Sequence, residues 1–187
     1  MFAMTLVDHL RMTFGHVIYM HRAHTQLAWR HARWNRWLEG AEAVLMLIAA
    51  FASIVIVFTG QVPYGVVAAI AAALAVLTLI IRLVLNFDKS AGAHRVCSAR
   101  LWHVREQYRA LLAELKDESL TLDTARERRD VLVGMLNAIY ENAPPADRGT
   151  YEAARGALPG AHDEALSDEE VDRFLPPSLQ KSGKPAA

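Results

Sequence analysis

Residues 43–81 read AVLMLIAAFASIVIVFTGQVPYGVVAAIAAALAVLTLII, and these 39 residues include no Asp, Glu, Lys, Arg or His. Residues 59–63, TGQVP, interrupt the stretch once and leave apolar segments of 17 residues up to Thr59 and about 20 residues from Val62. At ~1.5 Å per helical residue, each segment reaches ~26 to 30 Å, about the thickness of the hydrocarbon layer of a bilayer. The stretch therefore predicts two transmembrane helices, over about residues 41–59 and 63–85, joined by a tight turn.

A helical hairpin buried in a soluble domain is the alternative interpretation. A chain of 187 residues supplies only a modest core around such a hairpin. Both segments are apolar on every face, so a soluble fold would have to surround them completely. A cleaved signal peptide does not fit, because the first apolar segment begins about forty residues into the chain. We expect an all-α membrane protein, a two-helix transmembrane hairpin whose long N- and C-flanking cytosolic helices form a helical bundle.

The basic residues predict the orientation of the hairpin in the membrane. Lys and Arg crowd both outer flanks of the hairpin, whereas the connecting turn carries no charge. Because short loops rich in Lys and Arg stay in the cytoplasm, we expect a multi-pass protein of the inner membrane with both termini cytoplasmic. The predicted interface anchors are Arg33, Trp34, Arg36 and Trp37 on the inner side and Tyr64 on the outer side.

Charge is distributed unevenly along a chain whose net charge is zero. Residues 1–110 hold 11 Lys or Arg and 5 Asp or Glu, a balance of +6, and residues 111–187 hold 9 and 15, a balance of −6. Cations beside the bilayer suit an anionic inner leaflet, and the acidic remainder argues against nucleic acid as a ligand. Cys97 is the only cysteine, so an intramolecular disulfide is excluded and a reducing compartment fits.

Composition divides the chain into four predicted segments. Residues 1–38 form an N-terminal cytosolic or interfacial helix, and residues 39–87 form the transmembrane hairpin. Residues 88–158 form a cytosolic helical module, and residues 159–187 form a short helix followed by a disordered tail.

The N-terminal helix has one apolar face at helical spacing, and we expect the helix to break near Gly15. This face either packs on a neighbouring cytosolic helix, which we favour, or lies in the membrane interface. Its members are Leu6, Leu10, Phe14, Val17 and Ile18.

Residues 88–116 carry apolar side chains close to a 3,4 repeat, which predicts a long amphipathic helix continuing from the second span. Residues 117–123 form a break, with Thr121 or Asp123 as the N-cap of a further helix through about Glu141. The apolar stripe of the first helix is Val96, Leu101, Val104, Tyr108, Leu111, Leu112 and Leu115, and that of the second is Leu132, Met135, Leu136 and Ile139.

The C-terminal part of the module is predicted to contain two short helices. The first runs from about Asp147 to Ala157. The second follows Ser167, whose spacing from Glu170 is that of a capping box, and runs to Leu175. Beyond Pro176-Pro177 we expect disorder.

Glu42 and Arg82 are the only charges within reach of the apolar spans, and each lies 18 to 20 residues from the turn. In an antiparallel hairpin they fall at matching depth near the inner face. A charge in hydrocarbon costs ~2.5 to 3.5 kcal/mol, less near the interface, so pairing or snorkelling is expected. The alternative is a charged ring at the cytosolic mouth of an oligomeric pore.

Small residues recur every four positions in the second span, at Gly65, Ala69 and Ala73. Small side chains let helix backbones approach closely, which favours association of helices within a bilayer. The pattern does not separate packing within one chain from packing between subunits. Ser53 and Thr78, the hydroxyls deep in the spans, are expected to bond their own helix backbones.

The sequence offers little support for metal binding or catalysis. His21 and His24 have the i, i+3 spacing of two ligands, but they sit among arginines, which disfavour a divalent ion. No Cys-x-x-Cys, His-Glu-x-x-His, glycine-rich phosphate loop or Gly-x-Ser-x-Gly motif is present. We therefore expect no metal, no cofactor and no enzymatic activity.

The order of these parts resembles the SLATT family, two-helix membrane effectors associated with bacterial nucleotide-signalling and conflict systems. The resemblance covers about residues 20–158, and its most specific piece is Tyr151-Glu152-Ala153-Ala154. The other resembling pieces are the tight hairpin, His21-Arg22-Ala23-His24, Trp34-Asn35-Arg36-Trp37, Tyr108-Arg109-Ala110-Leu111-Leu112 and Asn142-Ala143-Pro144-Pro145.

The resemblance implies a membrane effector that forms pores or perturbs the membrane when an associated sensor or nucleotide-generating enzyme detects infection. Arrest or death of the host cell would follow. The implied partners are the lipid bilayer, further copies of the chain and a nucleotide-signalling or sensor protein. The alternative is a membrane-anchored adaptor that recruits a cytosolic partner without forming a pore.

Overall fold

A computed structural model describes residues 4–146 and 166–181, and the regular structure within these ranges is helical throughout. The expected all-α class is confirmed. The elements are α1 (Leu6–Thr59), α2 (Val62–Leu85), α3 (Phe87–Lys116), α4 (Leu122–Glu141), α5 (Asp168–Asp172) and a 3₁₀ turn (Pro177–Leu179).

The chain divides into two compact units. The first unit comprises Met1–Leu27 and Ala93–Ala187, and the second comprises Ala28–Gly92. The second unit contains the hairpin formed by the later part of α1 and by α2, whereas α4 and α5 belong to the first unit.

The predicted break near Gly15 is wrong, because α1 runs without interruption from Leu6 to Thr59. The glycine instead permits close packing of the C-terminal segment. A Cβ built at Gly15 would lie 3.0 Å from Cγ2 of Val171 and 3.3 Å from Cδ1 of Leu166. This packing explains a glycine inside a helix, where it costs about 1 kcal/mol relative to alanine.

The core of the first unit joins the apolar faces of α1, α3 and α4. The predicted faces are largely confirmed, with two exceptions. Val96 and Met135 are 54% and 40% exposed, and both line a shallow apolar groove of about 570 Å³ along α3 and α4. On α3 the buried position is Cys97, one residue further along. The buried members are Leu10, Phe14, Val17 and Ile18 on α1, Leu101, Val104, Tyr108, Leu111 and Leu112 on α3, and Leu132, Leu136 and Ile139 on α4.

The predicted helix caps are confirmed. The side chain of Thr121, rather than that of Asp123, accepts a hydrogen bond from the backbone N–H of Thr124 at 3.3 Å. Ser167 and Glu170 form a reciprocal capping box at 3.2 and 3.0 Å. These bonds satisfy backbone N–H groups that a helix start leaves unpaired.

The segment after α5 is ordered as far as Lys181, so the expectation of disorder directly after Pro177 is wrong. Arg11 of α1 donates a hydrogen bond from Nη1 to the carbonyl oxygen of Leu179 at 2.6 Å. The amide of Gln180 donates to the carbonyl oxygens of Asp172 and Leu175 at 2.9 and 2.8 Å. The sequence pattern gives no sign of these long-range contacts. The helix expected over 147–157 and the last residues of the tail, 182–187, lie outside the described residues.

The hairpin of the second unit turns at Gly60, whose φ of +67° lies in the left-handed region that glycine adopts readily. Its first helix ends at Thr59, and its second helix runs from Val62 to Leu85. At the far end of α2, Asn86 has a φ of +50° and separates α2 from α3. The expected continuous helix after the second span is therefore divided at Asn86, because a residue in this conformation ends the α-helical hydrogen-bond ladder.

α1 and α2 are long and apolar enough to cross a membrane, and their most apolar windows are only 6% and 11% buried. Core helices of a soluble protein would be mostly buried. The exposed side chains include Leu47, Phe51, Val57 and Phe58 on α1, at 69 to 84% exposure. This pattern supports the membrane hairpin over the soluble alternative.

Candidate functional site

Glu42 and Arg82 meet as an ion pair inside one hairpin. Nη1 of Arg82 donates a hydrogen bond to Oε2 of Glu42 at 3.1 Å. The same nitrogen lies 3.7 Å from Oε1 of Glu39. The side chains of Glu42 and Arg82 are 18% and 27% exposed. The sequence left open whether these two residues pair with each other or form a charged ring in an oligomer. In the single chain they pair.

Glu39 is a third member of this site that the sequence reasoning missed. It precedes Glu42 by three residues and therefore lies on the same helix face. This spacing could have identified Glu39 from the sequence. The three groups form a cluster at one end of the hairpin, with two carboxylates and one guanidinium. Among residues 39–82 they are the only charged side chains, and their net charge is −1.

The predicted packing residues of α2 separate onto different surfaces. A Cβ built on Gly65 would lie 2.7 Å from Cδ1 of Ile56, so this glycine lies directly against α1. Ala69 and Ala73 are exposed. The buried positions of α2 are Ala71 and Ala75.

The buried positions of the two spans carry very small side chains. Ala52 of α1 is 4% exposed, and Ala71 and Ala75 of α2 are each 5% exposed. Small residues permit the close approach of the helix backbones. Ala69 and Ala73, which share the same spacing, remain on the outer surface of the single hairpin.

Hydroxyl groups in the spans are satisfied by the helices that carry them. Ser53 donates to the carbonyl oxygen of Ala49 at 2.7 Å, and Thr78 donates to that of Ala75 at 2.8 Å. This expectation is confirmed. Such back-bonding removes the cost of presenting an unpaired hydroxyl to lipid.

Aromatic and basic residues of α1 before the first span are strongly exposed. Trp34 and Trp37 are 55% and 71% exposed, and Arg33 and Arg36 are exposed as well. Tyr64, at the start of α2, is 39% exposed. Their role as interface anchors stays a prediction. Trp29 also belongs to this surface at 67% exposure, although the sequence reasoning did not single it out.

The histidines considered as metal ligands instead contact α3 of the first unit. Nδ1 of His24 lies 2.9 Å from Nδ1 of His94. Nδ1 of His21 lies 3.0 Å from Oγ of Ser98, and that hydroxyl lies 2.6 Å from the hydroxyl of Thr25. Within residues 4–146 and 166–181, no group of three or more His, Cys, Asp or Glu side chains could hold a metal ion.

Burial controls the proton affinity of this polar cluster. Burial lowers the pKa of both His21 and His24 from the ordinary 6.5, and for His21 the hydrogen bond to the Ser98 carbonyl partly opposes this effect. Burial raises the pKa of the Cys97 thiol. The thiol is therefore a weak nucleophile at neutral pH. Sequence reasoning missed the partnership of His24 with His94 because it depends on the register between α1 and α3.

Comparison with protein families identifies a matching family over most of the chain. A family model described as SMODS and SLOG-associating 2TM effector domain family 4 matches residues 6–170. Searches of curated proteins and of solved structures find no match. The family match covers both spans, the Glu42–Arg82 pair and the helices of the first unit as far as Glu170.

Proposed function

Because the chain belongs to the SMODS and SLOG-associating 2TM effector family, and is thus a membrane effector of conflict systems, we propose that it acts by assembling into a homo-oligomer that forms a pore or perturbs the membrane. Activation by a sensor or nucleotide-signalling partner in an antiviral response would arrest or kill the cell. The proposed location is the inner membrane, with both termini cytoplasmic.

The distribution of large and small side chains over the hairpin supports this proposal. Large apolar residues cover its outer surface, whereas its buried positions are Ala52, Ala71 and Ala75, and Ile56 packs against Gly65. One hairpin packed in this way has no interior for water. A water-filled path therefore requires several copies.

The outer surface of α2 offers a route to association between copies. Ala69 and Ala73 lie there, exposed and four residues apart. In lipid, helices associate through close van der Waals packing, and small residues favour such contacts. Neighbouring copies would approach along this surface, which the intramolecular contact leaves open.

The charged cluster would then repeat around the axis of the oligomer. Each copy contributes Glu39, Glu42 and Arg82, with a net charge of −1. Rings of carboxylates at a pore mouth favour cations. The charge-free remainder of the spans would act as a hydrophobic constriction that conducts only after rearrangement, and the helices of the first unit would control that rearrangement.

Overproduction in bacteria tests the proposal without knowledge of the natural trigger, because high density favours assembly by mass action. The wild-type chain should arrest growth and admit a membrane-impermeant DNA dye. Ala69→Leu and Ala73→Leu should abolish both effects. Ala50→Leu is the matched control, since it places the same side chain at an exposed position of the other span and should preserve both effects.

A membrane-anchored adaptor is the second candidate function, and the apolar groove of the first unit favours it. Val96, Val104, Met135 and Ile139 line this groove together with Arg100 and other residues of α3 and α4. An adaptor would leave cells and reconstituted vesicles sealed at every protein density. Sealed membranes together with partner loss in Val96→Asp and Met135→Asp variants would favour the adaptor over the pore.

A further inference from the structure

One side of α1 carries tryptophan and arginine immediately before the first span. It presents three Trp and three Arg side chains, and all six are exposed. Neither the packing of the two spans nor the proposed association between copies uses this surface. We call this surface the Trp–Arg face, and its members are Trp29, Arg30, Arg33, Trp34, Arg36 and Trp37.

The spacing of these residues places aromatic and basic side chains next to one another. Residues three or four positions apart are neighbours on the surface of a helix. This spacing joins Arg33 to Trp29 and to Trp37, and it joins Arg30 to Arg33 and to Trp34. The Trp–Arg face is therefore one continuous surface on which the two residue types are mixed.

The carboxylates of the same helix segment have partners within the hairpin. Oε1 of Glu39 accepts a hydrogen bond from the side-chain amide of Asn35 at 2.9 Å and lies 3.7 Å from Nη1 of Arg82. Oε2 of Glu42 accepts a hydrogen bond from Arg82 at 3.1 Å. The ion pairs of these carboxylates are thus made with α2 and leave the positive charge of the Trp–Arg face in place.

Two arginines of the face are not engaged within the chain. The guanidiniums of Arg33 and Arg36 have no hydrogen bond or ion pair with any residue in the described part of the chain, and both side chains are exposed. A guanidinium carries a permanent positive charge and five N–H donors in a fixed planar fork. The Trp–Arg face therefore offers charge and hydrogen-bond donors to a ligand outside the chain.

The length of the first span determines the depth of the face. α1 ends at Thr59, and a hydrocarbon layer of ~30 Å takes about 20 helical residues, which reaches back to within one turn of Trp37. The polar layer adds about 5 to 8 Å, or three to five more residues. Arg36 and Trp37 therefore lie among the lipid headgroups, and Arg33 and Trp34 lie about one helical turn further out.

The chemistry of the two residue types matches the two parts of an anionic phospholipid. Guanidinium groups bind phosphate oxygens through paired, charge-assisted hydrogen bonds. Tryptophan rings are favoured at the same depth, where the apolar ring contacts the upper acyl chain and the indole N–H reaches polar groups. The positive charge of the face favours headgroups with a net negative charge over zwitterionic headgroups, which carry an ammonium group beside the phosphate.

We propose that the Trp–Arg face is a binding site for anionic phospholipids, in which Arg33 and Arg36 hold the phosphate and Trp34 and Trp37 contact the adjoining acyl chain. The inference goes beyond the proposed function, because it requires neither association between copies nor a pore. It also goes beyond anchoring at the interface, since an anchor sets the depth of a helix without selecting among lipids.

The tryptophans of the face report the lipids that lie beside them. The chain has four tryptophans, and the changes Trp29→Phe and Trp102→Phe leave only Trp34 and Trp37. The full chain with both changes, the reporter chain, would be reconstituted in vesicles of phosphatidylglycerol and phosphatidylcholine. Bromine atoms would be placed on the upper acyl chains of one lipid at a time. Because bromine quenches tryptophan fluorescence at short range, the two series give the relative affinity of the site for the two lipids.

The reporter chain should bind phosphatidylglycerol several-fold more tightly than phosphatidylcholine at low ionic strength. This preference should decrease toward one as sodium chloride is added, because salt screens the attraction between exposed charges. A preference near one at low ionic strength, or a preference that salt does not change, would overturn the proposal. Absence of quenching by either brominated lipid would place the face outside the bilayer and would overturn it as well.

The decisive variant combines Arg33→Gln with Arg36→Gln in the reporter chain. It should bring the lipid preference close to one and leave the fold intact, because neither guanidinium contacts another described residue. The matched control combines Arg126→Gln with Arg128→Gln, which removes two charges from α4, where the side chains are 56% and 51% exposed. The control should keep the preference. An equal loss in both double variants would mean that net charge alone attracts the lipid, and the assignment of the site would be wrong.

A soluble phosphate ester is the other ligand that guanidinium groups accept. Glycerophosphate should leave the preference of the reporter chain unchanged relative to sodium chloride at equal ionic strength, since it lacks the acyl chain that the tryptophans contact. If glycerophosphate removed the preference and sodium chloride at the same ionic strength did not, the face would bind a soluble phosphate ester. The assignment to a lipid would then be wrong.

Discussion

Arg82 of α2 donates a hydrogen bond to Glu42 of α1 across 3.1 Å, although 40 positions separate the two residues in sequence. They meet because the turn at Gly60 returns α2 along α1 and brings both side chains to the same end of the hairpin. The guanidinium of Arg82 also lies 3.7 Å from Glu39. The chain thus neutralises most of the charge at the edge of its apolar spans within a single hairpin.

Loss of the cation in this cluster should destabilise the hairpin. Arg82→Gln removes the cation that pairs with the carboxylate of Glu42 at the edge of the spans, whereas Glu39 keeps its hydrogen bond from the side-chain amide of Asn35. We expect a loss of about 1 to 3 kcal/mol in the free energy of unfolding, less than the cost of a charge at the bilayer centre because the site lies near the interface.

A double-mutant cycle between Arg82→Gln and Glu42→Gln, measured on unfolding from detergent micelles, isolates the pair energy. Arg36→Gln is the control, since Arg36 is exposed, and its effect should stay within about 0.5 kcal/mol. A coupling energy of zero would contradict the pairing.

The buried pair between Arg11 and Asp172 should be a major determinant of the stability of the first unit. Their side chains are 3% and 5% exposed, and the next carboxylate, that of Asp168, lies 3.6 Å from Arg11, so removal of the Asp172 charge leaves a buried guanidinium with only this longer ionic contact. We expect Asp172→Asn to lower the free energy of unfolding by about 3 to 5 kcal/mol. Asp168→Asn, at a site whose side chain is 46% exposed, should cost less than about 1 kcal/mol. Chemical denaturation of the full chain measures the loss of stability in each variant. Equal losses in the two variants would show that the Arg11–Asp172 pair is not a major determinant of stability.

Two glycines inside helices should respond differently to replacement by alanine. Gly134→Ala should stabilise the chain by about 0.5 to 1 kcal/mol, because nothing lies within 4 Å of the added Cβ and alanine favours the helix. At Gly15 the added Cβ meets Val171 at 3.0 Å, which should cancel or reverse that gain. Thermal unfolding of the two variants provides the comparison. An equal rise in Tm would mean that Gly15 is not a packing contact.

Lys181 should control the proton affinity of Asp8. Hydrogen bonds from Lys181 and Thr5 lower the pKa of Asp8 from 3.8 to about 2. The stabilising effect is therefore present above pH 3.8 and is lost as the pH falls toward about 2. Carbon-13 NMR should show the pKa of Asp8 rising toward 3.8 in Lys181→Ala and staying near 2 in Arg126→Ala, whose partner is Asp123. A low pKa that persists without Lys181 would contradict this contact.

The features that sequence predicted well are those that local physics determines. The two spans and their turn follow from a charge-free stretch and one Gly-containing break, and the capping box at Ser167 follows from its spacing to Glu170. The meeting of Glu42 and Arg82 was also predictable, because in a tight hairpin the distance from the turn fixes the register. The pairing of two helices joined by a short turn can thus be predicted almost entirely from the nearby sequence.

Other features depend on the register between distant segments. The contact of His24 with His94 spans 70 positions, and the pair of Arg11 with Asp172 spans 161. No spacing rule connects such residues. The same limit explains Gly15, which was expected to break α1 but instead accommodates Val171. On α3, the choice of Cys97 over Val96 as the buried residue depends on the helix rotation set by α1 and α4.

The central claim is that the apolar hairpin crosses the inner membrane twice. Cysteine accessibility in intact cells tests this claim most directly. In a Cys97→Ala background, Gln61→Cys places a thiol in the exposed turn, and His103→Cys places one on the exposed surface of α3. A membrane-impermeant maleimide should label Gln61→Cys in intact spheroplasts and label His103→Cys only after lysis, with the chain retained in membranes after an alkaline carbonate wash. Labelling of both thiols before lysis, or release of the chain by carbonate, would contradict the account.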